Sequence, residues 1–173
     1  MKVFVALLRA VNVGGTGKLA MAELRASCEE AGFKGCRTYI QSGNLLLRSS
    51  ASEANVKAKL EKIVSSHVGK PASVLVRTRA EIESIVKRNP WKSAVPSRVL
   101  VFFLDASPAR DALANLKIPG REKVKLDGRE VFVHYPDGMG RSKLKLPLTE
   151  AGTGRNLNTV VKLAALAAEL EHN

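Results

Sequence analysis

Short apolar runs alternate with amphipathic stretches in a fixed order along the first half of this chain, and that order restricts its fold more than any other feature. Residues 2–8 form a nearly unbroken apolar run, the pattern of a buried strand. A glycine-rich loop follows at residues 12–17. A helix comes next, with Met21, Leu24, Cys28 and Ala31 on one face, and Gly32 stops it. Residues 36–40 and 45–48 read as two strands, joined by the tight turn Gln41-Ser42-Gly43-Asn44, where Gly43 or Asn44 can take positive φ at little cost. The polar residues 49–52 cap a second helix, which turns Val56, Leu60, Ile63 and Val64 inward and Lys57, Lys59 and Lys62 mostly outward. After Pro71, residues 73–77 form a fourth strand. The result is β-α-β-β-α-β, the order of a ferredoxin-like sandwich, with an antiparallel sheet covered on one face by two helices.

The second half repeats this order of elements without repeating the residues. Thr78-Arg79-Ala80-Glu81 has the spacing of a capping box and starts a short helix carrying Ile82, Ile85 and Val86; Asn89-Pro90 ends it. Residues 91–97 form a proline-containing linker. The boundary is placed there, giving domains 1–92 and 93–173, with Trp91 packed between them. Residues 99–104 are a buried strand. Ser107-Pro108 opens a helix carrying Leu113 and Leu116. Residues 123–126, Asp127-Gly128 and residues 130–135 make the clearest hairpin in the chain. A glycine-rich loop, residues 136–140, leads to Arg141, Lys143 and Lys145 at alternate positions, and Thr153-Gly154-Arg155-Asn156 announces a long terminal helix from about residue 157 to 171. The fold class expected is α+β: tandem ferredoxin-like halves, βαββαβ then βαββα, with helices on one face of each antiparallel sheet.

Charge narrows the function. The chain has 28 basic and 16 acidic residues, a net +12. Through Ser97 there are 16 basic and 7 acidic residues; from Arg98 onward there are 12 and 9, so the excess sits mainly in the first half. Such a surface attracts nucleic acid, nucleotides or phosphorylated substrates. Aromatic residues make up 5% of the chain, too few for an obvious set of base-stacking platforms. Cys28 and Cys36 supply neither a disulfide framework nor enough zinc ligands. No apolar run approaches the ~20 residues that span a bilayer, so a cytoplasmic protein with no membrane partner is expected. No metal is expected, and no cofactor is indicated.

Three polar segments carry the candidate chemistry. The first includes Arg9, Asn12, Gly14, Gly15 and Lys18, between a strand and a helix, where glycine amides can approach an anion. It lacks Walker A spacing, and Leu19 stands where the magnesium-binding hydroxyl belongs, so an NTPase is disfavoured. The second is the Gln41, Ser42 and Asn44 turn, a source of ligand hydrogen bonds; no His or Lys motif around Ser42 marks it as a nucleophile. The third joins Asp137, Arg141 and Lys143 with Arg155, Asn156, Asn158 and Thr159 at the start of the last helix, where free amides and the helix dipole favour negative charge. Arg155 has the shape to fork onto a phosphate. The simpler alternative is that Asn156 or Thr153 caps the helix and Arg155 pairs with an acid such as Asp137.

Leu8-Arg9 with Asn12-Val13-Gly14-Gly15, Met21-Ala22-Glu23-Leu24-Arg25, Thr38-Tyr39-Ile40-Gln41-Ser42-Gly43-Asn44, Ser142-Lys143-Leu144 and Thr153-Gly154-Arg155-Asn156 with Asn158-Thr159 together resemble the bacterial family catalogued as domain of unknown function 1697. The resemblance spans nearly the whole chain. It implies a cytoplasmic tandem α+β protein and no established activity. Where that family usually carries an aromatic, this chain has Leu157, so the resemblance does not bring a stacking ring. The function expected is binding of a phosphate-bearing anion, nucleic acid or nucleotide, in a cleft of these polar loops. The alternatives are a metal-independent enzyme acting on a small anionic substrate through Asp137 or Ser42, and a homodimeric interaction module; monomer and homodimer both remain open.

Overall fold

The computed structural model describes residues 1–9, 20–40 and 43–173. These form a mixed α+β chain with two antiparallel four-stranded sheets and, among the described residues, four α-helices. The elements are β1 (Lys2–Leu8), α1 (Met21–Glu30), β2 (Lys34–Tyr39), β3 (Asn44–Ser49), α2 (Glu53–Val68), β4 (Val74–Thr78), α3 (Arg79–Lys87), β5 (Val99–Phe103), β6 (Lys123–Asp127), β7 (Glu130–His134), β8 (Thr153–Asn156) and α4 (Leu157–His172). Two compact units emerge: Met1–Glu83 with Leu163–Asn173, and Ser84–Lys162. No helix among the described residues is long and apolar enough to cross a membrane.

In the first unit the strand order is β2-β3-β1-β4. One face presents Phe4, Ala6, Leu8, Leu45, Leu47, Val74 and Val76 to Leu24 and Cys28 of α1 and to Val56, Leu60 and Val64 of α2. Local signals act as the sequence leads one to expect. Ser52 caps α2 by accepting from the Asn55 amide at 3.2 Å, and Gly69 ends it at φ +73°. Thr78 and Glu81 form the capping box of α3: the Thr78 amide donates to Glu81 Oε2 at 2.7 Å, and the Glu81 amide donates to Thr78 Oγ1 at 3.2 Å. The second face of the sheet is also covered, which the sequence reading did not anticipate. Val3, Val5, Leu7, Leu46 and Leu75 are buried, and the last turns of α4 lie against β2. A Cβ added at Gly35 would come within 2.8 Å of Leu170, and Arg37 pairs with Glu169 at 3.4 Å.

The second unit has the order β6-β7-β5-β8. Leu100, Phe102, Val124, Leu126, Val131 and Val133 line one face, under Leu144, Leu146 and Leu148 from the segment that follows β7. The hairpin turns at Asp127 and at Gly128, which has φ +61°. The expected helix over residues 107–116 does not form. Ala112, Ala114 and Leu116 instead donate to the carbonyls of Ala109, Asp111 and Leu113, three residues back, in successive turns. About ten residues bearing two leucines bury too little to sustain a helix, and Pro119 pulls its predecessor away from the α region. Arg88 ties the hairpin down, reaching Asp127 at 2.7 Å and buried Glu130 at 2.8 Å. Trp91 stacks on His134, with ring centroids 5.9 Å apart.

Candidate functional site

At one end of the first sheet, Arg9 and Gly43-Asn44, the described residues of two of the polar segments, come close together. The Leu8 amide donates to the Gly43 carbonyl at 2.8 Å, and the Arg9 amide donates to the Ser73 carbonyl at 3.1 Å. The exposed Arg9 therefore leaves the sheet beside the turn between β2 and β3. Asn44 is fully buried and closes that turn, donating from Nδ2 to the Tyr39 carbonyl at 3.0 Å. Gly43 takes φ +82°, which glycine adopts freely, whereas Ile40 takes φ +49°, a conformation that costs a β-branched residue. Asn12, Gly14, Gly15, Lys18, Gln41 and Ser42 lie outside the described residues.

The second sheet brings its own polar segments to one end by the same logic. Val99 pairs with His134, and Leu100 pairs with Asn156, so the loop after β7 and the start of α4 flank the beginning of β5. There the residues divide by role. Asn156 accepts from the Thr159 amide at 3.0 Å and so caps α4. Asn158 is exposed. Arg155 is buried, and its Nη1 donates to Thr153 Oγ1 at 2.6 Å and to the Gly154 carbonyl at 2.9 Å. Burial draws its pKa down to about 10, still far enough above neutrality to keep the charge. Asp137 does not pair with Arg155. It pairs with Arg121, whose Nε donates to Oδ2 at 3.2 Å and whose Nη2 donates to Oδ1. The hydrogen bond from Arg121 holds the Asp137 carboxyl below its ordinary range.

Asp137, Arg141 and Lys143 line a common hollow of about 180 Å³, with Glu122, Tyr135 and Ser142. Ser142 Oγ donates to Glu122 Oε1 at 2.7 Å, and this bond is the main reason that the Glu122 carboxyl titrates lower than usual. Glu122 and Tyr135 were not singled out from the sequence as site residues, and Ser142 entered only as part of the motif Ser142-Lys143-Leu144. Twenty positions separate Glu122 from Ser142, and no spacing rule joins an acid after a turn to a serine after a glycine-rich loop.

From Arg141 to Leu148 the chain runs as a strap. Arg141, Lys143 and Lys145 are exposed, while Ser142, Leu144, Leu146 and Leu148 are half-buried, the last three against the sheet. Arg141 ends a 3-10 turn over Met139–Arg141 and Leu148 lies in another over Pro147–Thr149, and Lys143 and Lys145 are exposed on the stretch between them. The charge of Arg141 also helps to lower the pKa of the Asp137 carboxyl, with which it lines the smaller hollow. The same strap, with the turns of residues 111–119, borders a larger hollow of about 570 Å³. Pro119 and Lys143 line both hollows. Among the described residues no group of three or more His, Cys, Asp or Glu side chains is placed to hold a metal ion.

Residues 1–132 match the family described as protein of unknown function (DUF1697). The chain belongs to that family. It is also similar in structure to the conserved bacterial protein SP0830 from Streptococcus pneumoniae, with 26% sequence identity and a TM-score of 0.81 over 96% of this chain and 98% of that one. No curated protein matches the chain. Family membership therefore brings a shared fold and no assigned activity, and any function must be argued from the side chains described above.

Proposed function

We propose that the protein binds a phosphate-bearing anion, a nucleic acid or nucleotide, along the cationic strap of its second unit. One observation carries this reading: the strap spends its leucines on the sheet and leaves Arg141, Lys143 and Lys145 exposed beside two hollows. Leu144 and Leu146, held on the sheet, fix Lys143 and Lys145 beside Arg141, which ends a 3-10 turn, and so position the cations at little further conformational cost for a ligand with several phosphates. The net charge of +12 adds long-range attraction for the same class of ligand. We read the two sheets as tandem ferredoxin-like halves; in each, the spatial strand order is second, third, first, fourth.

The enzyme reading has less behind it. Asp137, its candidate base in the described residues, is engaged by Arg121 and held at a lowered pKa, which weakens it as a proton acceptor near neutrality. The binding reading is tested with fluorescein-labelled single-stranded and duplex oligonucleotides, followed by fluorescence anisotropy across a salt series. Binding that weakens steeply with salt is the expected result. Absence of binding to both oligonucleotides and to nucleoside triphosphates at low salt would overturn it.

A further inference from the structure

The larger hollow of the second unit is built for more than a phosphate. Its walls are apolar: Leu113 and Leu116 from the turn run, Leu146 and Leu148 from the strap, with Pro119 and Pro147. Leu113 and Leu116 remain half-buried because the segment carrying them forms turns and not a helix closed onto the sheet. The volume, about 570 Å³, falls within the range of small-molecule sites, roughly 300–1,000 Å³.

The polar groups around the hollow are of two kinds. Lys117, Lys143 and Lys145 line it as exposed cations. Asp111 and Asn115 line it as hydrogen-bonding groups on the turn run. We infer that this hollow takes a nucleoside polyphosphate, with the base against the leucines and prolines, its edge read by Asn115 and Asp111, and the phosphates on the lysines. The inference rests on the anion-binding reading above and narrows it to a ligand class. An amide and a carboxylate are the groups that read donor and acceptor patterns on base edges, the amide suited to adenine and the carboxylate to an exocyclic amine. An anionic alkyl chain would satisfy the leucines and lysines but would draw no contact from Asn115 and Asp111. A bare polyphosphate would use the lysines and leave the apolar walls wet. Lys143 lines both hollows, so a phosphate bound there also neighbours Arg141 and Ser142.

The test is calorimetric titration of the full chain with the adenosine, guanosine, cytidine and uridine triphosphates, with inorganic triphosphate as the base-free control. At least one nucleotide should bind tenfold or more tightly than inorganic triphosphate. Leu116→Ala and Asn115→Ala should each reduce that advantage threefold or more without changing inorganic triphosphate binding. Asn115 is exposed, so its replacement tests the base contact without disturbing folding. Lys143→Ala with Lys145→Ala should weaken nucleotide and inorganic triphosphate alike. Equal affinity for nucleotides and inorganic triphosphate would overturn this inference and leave the anion-binding reading standing. So would oligonucleotide binding without any binding of mononucleotides. If neither nucleotides, inorganic triphosphate nor oligonucleotides bind, both readings fall.

Discussion

Replacing Arg141, Lys143 and Lys145 together by alanine removes all three exposed cations while leaving Leu144, Leu146 and Leu148 on the sheet. The expected effect follows from counterion release. Each neutralised phosphate contributes a slope of about 0.7 in log affinity against log salt for a single strand and about 0.9 for duplex DNA. If each of the three cations meets one phosphate, the variant should lose about 2 from the single-strand slope and about 2.7 from the duplex slope. Between 50 and 200 mM salt the wild type should then weaken by about 20-fold more than the variant on a single strand, and by about 40-fold more on a duplex. Anisotropy titrations at four or five salt concentrations measure both slopes. Thermal unfolding supplies the folding control, because solvated surface substitutions usually change stability by no more than about 0.5 kcal/mol. A well-folded triple variant whose salt slope matches the wild type would refute the placement of the phosphates on the strap.

Three further outcomes test the structure around the site. Arg88→Ala leaves the Glu130 carboxylate, only 4% exposed, without its arginine; breaking a buried pair costs about 3–5 kcal/mol. Arg88 is itself 33% exposed, so a loss nearer 2 kcal/mol is expected in urea unfolding, and a loss below about 0.5 kcal/mol would discount the clamp. Asn156→Ala removes the cap of α4 and should cost about 1 kcal/mol, measured the same way; no loss would mean that the Thr159 amide finds another acceptor. Burial raises the pKa of Cys28 to about 12 and that of Cys36 to about 11, so neither thiol should react with a disulfide reagent at pH 8 until the protein unfolds. Folding favours the neutral thiols: their contribution is intact below the ordinary thiol range and is lost as pH rises through 11 to 12. Rapid labelling of the native protein would contradict the burial.

Much of the architecture was legible because it rests on contacts close in the chain. Ser52, the Thr78 and Glu81 box, and the Asp127-Gly128 turn each act within a few residues, and each appears in the structure where the pattern places it. The apolar runs likewise specified strands, since a buried strand is written in its own residues. The helix over residues 107–116 failed for the opposite reason. Its capping and periodic signals were real but short, and what decides such a segment is how much apolar surface its neighbours let it bury.

The candidate site divides in the same way. The sequence by itself determined that Arg141, Lys143 and Lys145 stand at alternate positions after a glycine-rich loop. It also determined the excess positive charge. Only the tertiary structure decided that Arg121 holds Asp137, that Glu122 meets Ser142, and that Leu113 and Leu116 line one hollow with Leu146 and Leu148. The order of charges along the chain travels with the sequence. Partnerships across twenty or more residues depend on which surfaces the sheet brings together, and no local spacing records that choice.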